Sequence, residues 1–309
     1  MDSNLSKEFY QCHYFSKIQM TYAFDLRLTY FICILLNGVL APITTLANLI
    51  LVTLIWRNNH LQSPSNLLVG ALALSDLGVG CFVQPLYIAY KVAEMQRLEA
   101  YCLLAEVFNL IATELTCVSF LIMTALSVDR WLAITLHLRY STIVTRKLVL
   151  VVVIVCWVIS LVLPVGWWWN FDIYNTGISV IIGLCSLCTL VLYYKIYRVV
   201  RRHQTAIAEA QTAVSREVNV TAFRRRYISM IYLYSLFLLC YLPSACISIA
   251  NLTLGTPTFL TYKTTQYGLT LAFMNSSINP LLLTWKIVEV RQAFRQRLAR
   301  LCGTQEQSS

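Results

Sequence analysis

Residues 115–131 read LTCVSFLIMTALSVDRW, an apolar run that stops on an adjacent acid and base, Asp129-Arg130. Taken alone, such a pair is an ordinary interfacial arginine snorkelling toward lipid headgroups. Charges beside a membrane core are also expensive, and they commonly mark functional positions. What surrounds the run decides between these readings. Apolar spans read near 30–56, 66–90, 101–134, 148–169, 173–200, 227–251 and 263–285. Crossing a bilayer takes about 20 helical residues, whereas spanning strands are shorter and alternate, so these spans are predicted to be helices. The expected architecture is all-α: a seven-transmembrane helix bundle over residues 29–285, after an extracellular N-terminus of residues 1–28. Residues 286–309 are expected to hold a short amphipathic cytoplasmic helix and a tail.

Composition agrees with a membrane chain. The sequence is 58% apolar and 12% charged, against about 25% charged in soluble domains. A net charge of +10 would suit nucleic acid, but its placement argues for a membrane face instead. With the N-terminus outside, only Lys7, Lys17, Arg27, Lys91, Arg97 and Lys263 fall on the outer side, and the other 18 of 24 basic residues fall at or near the inner face. That is the positive-inside bias, and it places the C-terminus in the cytoplasm. The partner of the basic face is therefore the lipid bilayer, and no nucleic-acid partner is expected. Lys7, Glu8, Lys17, Asp25 and Arg27 interrupt residues 1–28, so no cleavable signal is expected and the first span serves for insertion.

The eleven cysteines follow no zinc-ligand spacing. Eight lie inside spans and read as small packing residues. Cys12 and Cys102 both fall on the oxidising side and form a candidate disulfide. Cys302 follows the basic amphipathic segment and is a candidate for palmitoylation, with an unmodified thiol as the alternative. Asn4-Leu5-Ser6 is a glycosylation sequon in an outer segment. Trp167-Trp168-Trp169 suits an interfacial aromatic belt. Residues 203–221 are rich in helix formers, so the fifth and sixth helices are expected to extend beyond the membrane.

Several polar residues sit where apolar ones would be cheaper. Asp76 lies in mid-span, and a carboxylate there needs a partner or a proton. Asn48, Ser119, Asn275, Ser276 and Asn279 recur in other spans. Convergence of Asp76 with Asn48, Ser119, Asn275 and Ser276 would give an oxygen-rich pocket for Na⁺ or ordered water. The alternative is a hydrogen-bond network that glues helices. Pro280 and Pro243 each remove a backbone donor and kink a helix, which supplies candidate hinges.

In order along the chain, these residues resemble the rhodopsin-like (class A) G-protein-coupled receptors. Asn48, Asp76, Asp129-Arg130-Trp131, Trp157, Tyr193, Cys240-Tyr241-Leu242-Pro243 and Asn275 through Pro280 each match a family motif on its own span. The resemblance implies a G-protein coupling switch of Asp129, Arg130, Tyr193, Asn279 and Pro280, with Tyr241 and Pro243 as toggle and hinge. Departures concern that switch: Leu283 replaces the family's Tyr, Tyr241 its toggle Trp, and Phe223 the acid that often pairs with the arginine. The outer loop after the fourth span has no Cys and the fifth span no Pro, which is similar to the melanocortin, lysophospholipid, cannabinoid and adenosine group.

The resemblance also narrows the ligand. Ala112 stands at the amine-binding Asp and Phe273 at the retinal Lys, so neither a conventional amine nor a retinal cofactor is expected. Glu106, Asn109, Ala112 and Thr113 remain as ligand candidates; Glu106 reads equally as a solvated helix-end acid. The expected protein is a non-enzymatic plasma-membrane receptor. It binds an extracellular small molecule, lipid or short peptide, activates a heterotrimeric G protein and engages arrestin. The alternatives are a seven-span transporter or ion pump, or a weakly coupling or constitutively active receptor-like protein.

Overall fold

A computed structural model describes residues 25–136, 139–162, 171–209, 235–247 and 258–286, with the side chains of 171–175, 200, 203–209 and 283–286 excepted. Helix α1 is Arg27–Arg57 and α2 is Pro64–Gln96, which passes through a π turn at Val79–Val83. Helix α3 is Tyr101–Leu136, α4 Arg146–Val162, α5 Phe171–Glu209, α6 Ser235–Ile247 and α7 Phe259–Lys286. A single-turn helix, Tyr140–Ile143, joins α3 to α4. No strand occurs among the described residues.

Helix starts follow local chemistry. Ser63 accepts from the Asn66 amide and Pro64 occupies the first helical position, where its missing donor costs nothing. Thr145 accepts from the Leu148 amide at the start of α4, and Thr258 from the Thr261 amide at the start of α7. Helix α2 stops at Arg97, a left-handed residue with φ 55°, as the Leu98 amide closes back on the Ala93 carbonyl. In the π turn, a Cβ on Gly80 would lie 2.7 Å from Thr45 Oγ1 and 2.8 Å from the Thr45 amide nitrogen. Only glycine lets α1 and α2 approach so closely there.

Four helical stretches among the described residues are long and apolar enough to span a bilayer: Arg27–Arg57, Pro64–Gln96, Tyr101–Leu136 and Thr176–Val199. Ile154, Leu161, Val162, Leu184 and Leu187 are exposed on α4 and α5, an outward apolar surface that suits lipid and not water. The seven predicted spans each hold a helix, and α5 runs past its span to Glu209. One boundary is corrected. The second span was expected to end at residue 90, leaving Lys91 in an outer loop, but α2 continues to Gln96 and Lys91 lies wholly inside it. The reason is pairing: Lys91 and Glu94 are one turn apart and neutralise each other, so the helix continues through both.

Two compact units divide the chain. The first comprises Met1–Leu46, Asp76–Thr113 and Ser235–Ile278, and the second Ala47–Ser75, Glu114–Tyr234 and Asn279–Ser309.

Candidate functional site

In the second unit, Asp129 and Arg130 end the apolar face of α3. Arg130 Nη2 lies 3.1 Å from Asp129 Oδ2, with the Asp side chain 4% exposed and the Arg side chain 20% exposed. Two hydroxyls complete the carboxylate's shell. Ser65 Oγ, in the first turn of α2, donates to Oδ2 at 2.6 Å, and the Tyr140 hydroxyl donates to Oδ1 at 2.5 Å. The capped start of α2 and the single-turn helix thus meet at one acid. Hydrogen bonds to a charged acceptor are short and strong. Burial and the bond to Asp129 push the Tyr140 hydroxyl up to about 12, so it remains a donor at neutral pH. Arg130 is less well served, because its buried Nε has no hydrogen-bond partner among the described residues.

Beyond the pair, Trp131 and Tyr193 pack against buried Ile134 and Ile196, and Lys195 Nζ stands 5.6 Å from the Trp131 ring centroid. These contacts tie α3 to α5, as do bonds from Thr124 to Thr189 and to the Cys185 carbonyl. Asn279 and Pro280 are buried in α7. Leu283 has no described side chain, and Phe223 lies outside the described residues.

The predicted pocket residues are all buried. Asp76, Asn275 and Ser276 belong to the first unit, and Asn48 and Ser119 to the second, where Ser75 and Ser119 hydroxyls lie 3.1 Å apart. Asn275 Oδ1 is a buried oxygen without a hydrogen-bond partner among the described residues. In the first unit, Glu106, Asn109, Ala112 and Thr113 are all half-buried along α3, and Asn109 Nδ2 donates to the Ala105 carbonyl. Tyr241 packs on Phe237 with ring centroids 4.7 Å apart, and Pro243 lies within α6. Glu114 accepts a long bond from Ser160 on α4. Cys102 is disulfide-bonded, whereas Cys12, its expected partner, lies outside the described residues together with Asn4 and Cys302.

Sequence reasoning missed a fully buried ionic pair in the first unit. Lys91 and Glu94 pair at 2.8 Å with side chains 1% and 0% exposed. The Lys91–Glu94 pair joins Asp76 among the buried charges of this unit. The available signal was the spacing of Tyr87, Tyr90, Lys91 and Glu94, which share one helical face only if the helix continues past residue 90. Below the pair, the Tyr87, Tyr90, Tyr101, Phe108 and Phe273 rings form a contiguous aromatic cluster, with centroid separations of 5.4 to 6.1 Å. Phe273, at the retinal-lysine position, is a core residue of this cluster.

The sequence profile of the family described as 7 transmembrane receptor (rhodopsin family) matches residues 47–173, which include the Asp129–Arg130 site and its Ser65 and Tyr140 donors. Among known proteins the chain is similar to adenosine receptor A2a of Homo sapiens, 26% identical over 295 residues, covering 83% of this chain and 69% of the relative. It is similar to adenosine receptor A2b of Bos taurus, 25% identical over 308 residues, covering 86% and 89%. Adenosine receptor A3 of Ovis aries is 24% identical over 278 residues, covering 80% and 83%. The profile match, the relatives and the motif order along seven helical segments point the same way: this multi-pass membrane chain is similar to the rhodopsin family of G-protein-coupled receptors.

Proposed function

We propose that the chain transmits binding of a small extracellular ligand to a heterotrimeric G protein at the plasma membrane, with its N-terminus outside and its C-terminus in the cytoplasm. The observation that carries this reading is Arg130, held by an Asp129 that Ser65 and Tyr140 also grip. In that arrangement the guanidinium is occupied. Activation exchanges Asp129 for the G protein as the inner end of the sixth helix opens, a shift of a pre-existing equilibrium. Pro243 and Pro280 supply the hinges. The half-buried α3 face of Glu106, Asn109, Ala112 and Thr113 receives the ligand. A nucleoside is the first candidate, because the similar receptors are named for adenosine. Arrestin binds the same opened face.

Asp76 with Asn275 and Ser276 fits Na⁺: a buried carboxylate supplies the charge, and the orphaned Asn275 Oδ1 supplies a hard oxygen. Cys102 pairs with Cys12, Asn4 carries a glycan and Cys302 is palmitoylated. The test is nucleotide exchange by G proteins in membranes bearing the full chain, read with a panel of nucleosides, lipids and short peptides. Ligand-stimulated exchange by any class supports the reading. A well-expressed chain with neither basal nor stimulated exchange across all G-protein classes contradicts it.

A second reading has its own observation. Arg130 Nε, without a partner among the described residues, fits a loosely held arginine, as do the Leu283, Tyr241 and Phe223 replacements. It predicts exchange without ligand above that of membranes lacking the chain.

A further inference from the structure

Within the first unit, Lys91 Nζ sits in a cage of tyrosine rings. Its distances to ring centroids are 4.1 Å for Tyr90, 4.7 Å for Tyr30, 5.4 Å for Tyr262 and 5.9 Å for Tyr87. It also bonds Glu94 Oε2 at 2.8 Å and the Tyr262 hydroxyl at 3.2 Å. Glu94 Oε1 in turn accepts from Tyr30 at 2.7 Å and from Tyr262 at 3.1 Å. Every polar atom of the pair is therefore served, by residues from α1, α2 and α7. Aromatic faces around a cation, closed by a carboxylate, are the chemistry that recognises ammonium ions. Here the ammonium belongs to the chain.

We propose that this corner of the first unit is an ammonium-binding cage, and that Lys91 is its tethered occupant, closing α1, α2 and α7 on one another. Three observations carry the inference. A buried ion pair costs more to desolvate than an apolar pair of similar volume, so stability alone does not favour it. The cage walls come from three helices, so one cation joins all three. The tyrosines present both faces and hydroxyls to the pair, a division of labour that simple helix glue does not need. Tethering gives Lys91 an effective concentration of about millimolar or above. Free amines at micromolar levels cannot displace it, and the cage excludes cationic ligands from this corner while Lys91 is present.

The inference is tested without reference to signalling, on full-length receptor in nanodiscs. Lys91→Ala removes three carbons and the ammonium, a gap matched by n-propylammonium. The thermal midpoint of Lys91→Ala is expected to fall and to recover by more than half in n-propylammonium at about 10 mM, the effective-concentration scale of the tether. Neutral n-propanol at the same concentration is expected to leave it unchanged. Lys91→Met, which refills the gap without charge, is expected to show no amine effect. A Lys91→Ala chain that folds only when the amine is present during expression supports the proposal equally. Equal rescue by propanol overturns it, as does rescue of Lys91→Met, or absence of rescue and of amine-dependent folding for Lys91→Ala.

Discussion

Two ion pairs in this chain are built to opposite ends. Lys91–Glu94 is wholly buried, every polar atom is matched, and its ligands come from three helices. Asp129–Arg130 joins adjacent residues, leaves its arginine 20% exposed and leaves Nε unmatched among the described residues. A fully satisfied buried network rigidifies. A partly satisfied one with an exposed arm gives way at small cost. One pair ties three helices together, and the other, in the proposed function, is the one that opens.

The largest expected effect separates them by stability. Glu94→Ala leaves a buried, uncompensated lysine, and breaking a buried pair in this way costs about 3–5 kcal/mol. Thermal or denaturant unfolding of purified receptor should show that loss. Wild-type stability in Glu94→Ala would mean that water reaches the pair and that the contrast is false. Asp129→Asn should behave in the opposite manner. It keeps the shape and still accepts from Ser65 or Tyr140, so stability should fall by only about 1 kcal/mol. Basal nucleotide exchange should rise because Arg130 loses its counter-charge. Unchanged basal exchange with a large stability loss would make Asp129 a structural residue like Glu94.

How much of this contrast was legible in the sequence follows from chain distance. Asp129, Arg130 and Pro280 announce themselves because a charge or a proline interrupts an apolar run. Ser65 and Tyr140, which complete the Asp129 shell, lie 64 and 11 residues away along the chain. Serines and tyrosines at helix starts are too common to flag. Lys91 misled for a related reason: at the end of an apolar run a lysine reads as a loop residue, and only Tyr30 and Tyr262, from distant helices, show otherwise. The helices themselves were legible since hydropathy determines them within a few residues. The second span was misjudged because an internal ion pair let α2 continue.

A smaller effect sharpens the Asp129 side. Tyr140→Phe removes one donor to Asp129 and should cost about 0.5–1 kcal/mol, because Ser65 and solvent recover part of the bond at this half-buried site. The tyrosine in the native fold sits at about 12, above the usual value near 10. Its neutral form is thus the stabilising one. The contribution is complete below about pH 10 and is lost as pH rises through about 12. Between pH 6 and 9, the difference in thermal midpoint between parent and Tyr140→Phe should therefore stay constant. A difference that shrinks within that window would show that the hydroxyl is not held by Asp129.

The central claim is that Arg130 carries the signal, and one variant addresses it directly. Arg130→Ala, compared with the parent at matched surface expression, should abolish guanine-nucleotide exchange, both basal and ligand-stimulated. Exchange retained by a well-expressed Arg130→Ala receptor would contradict the account.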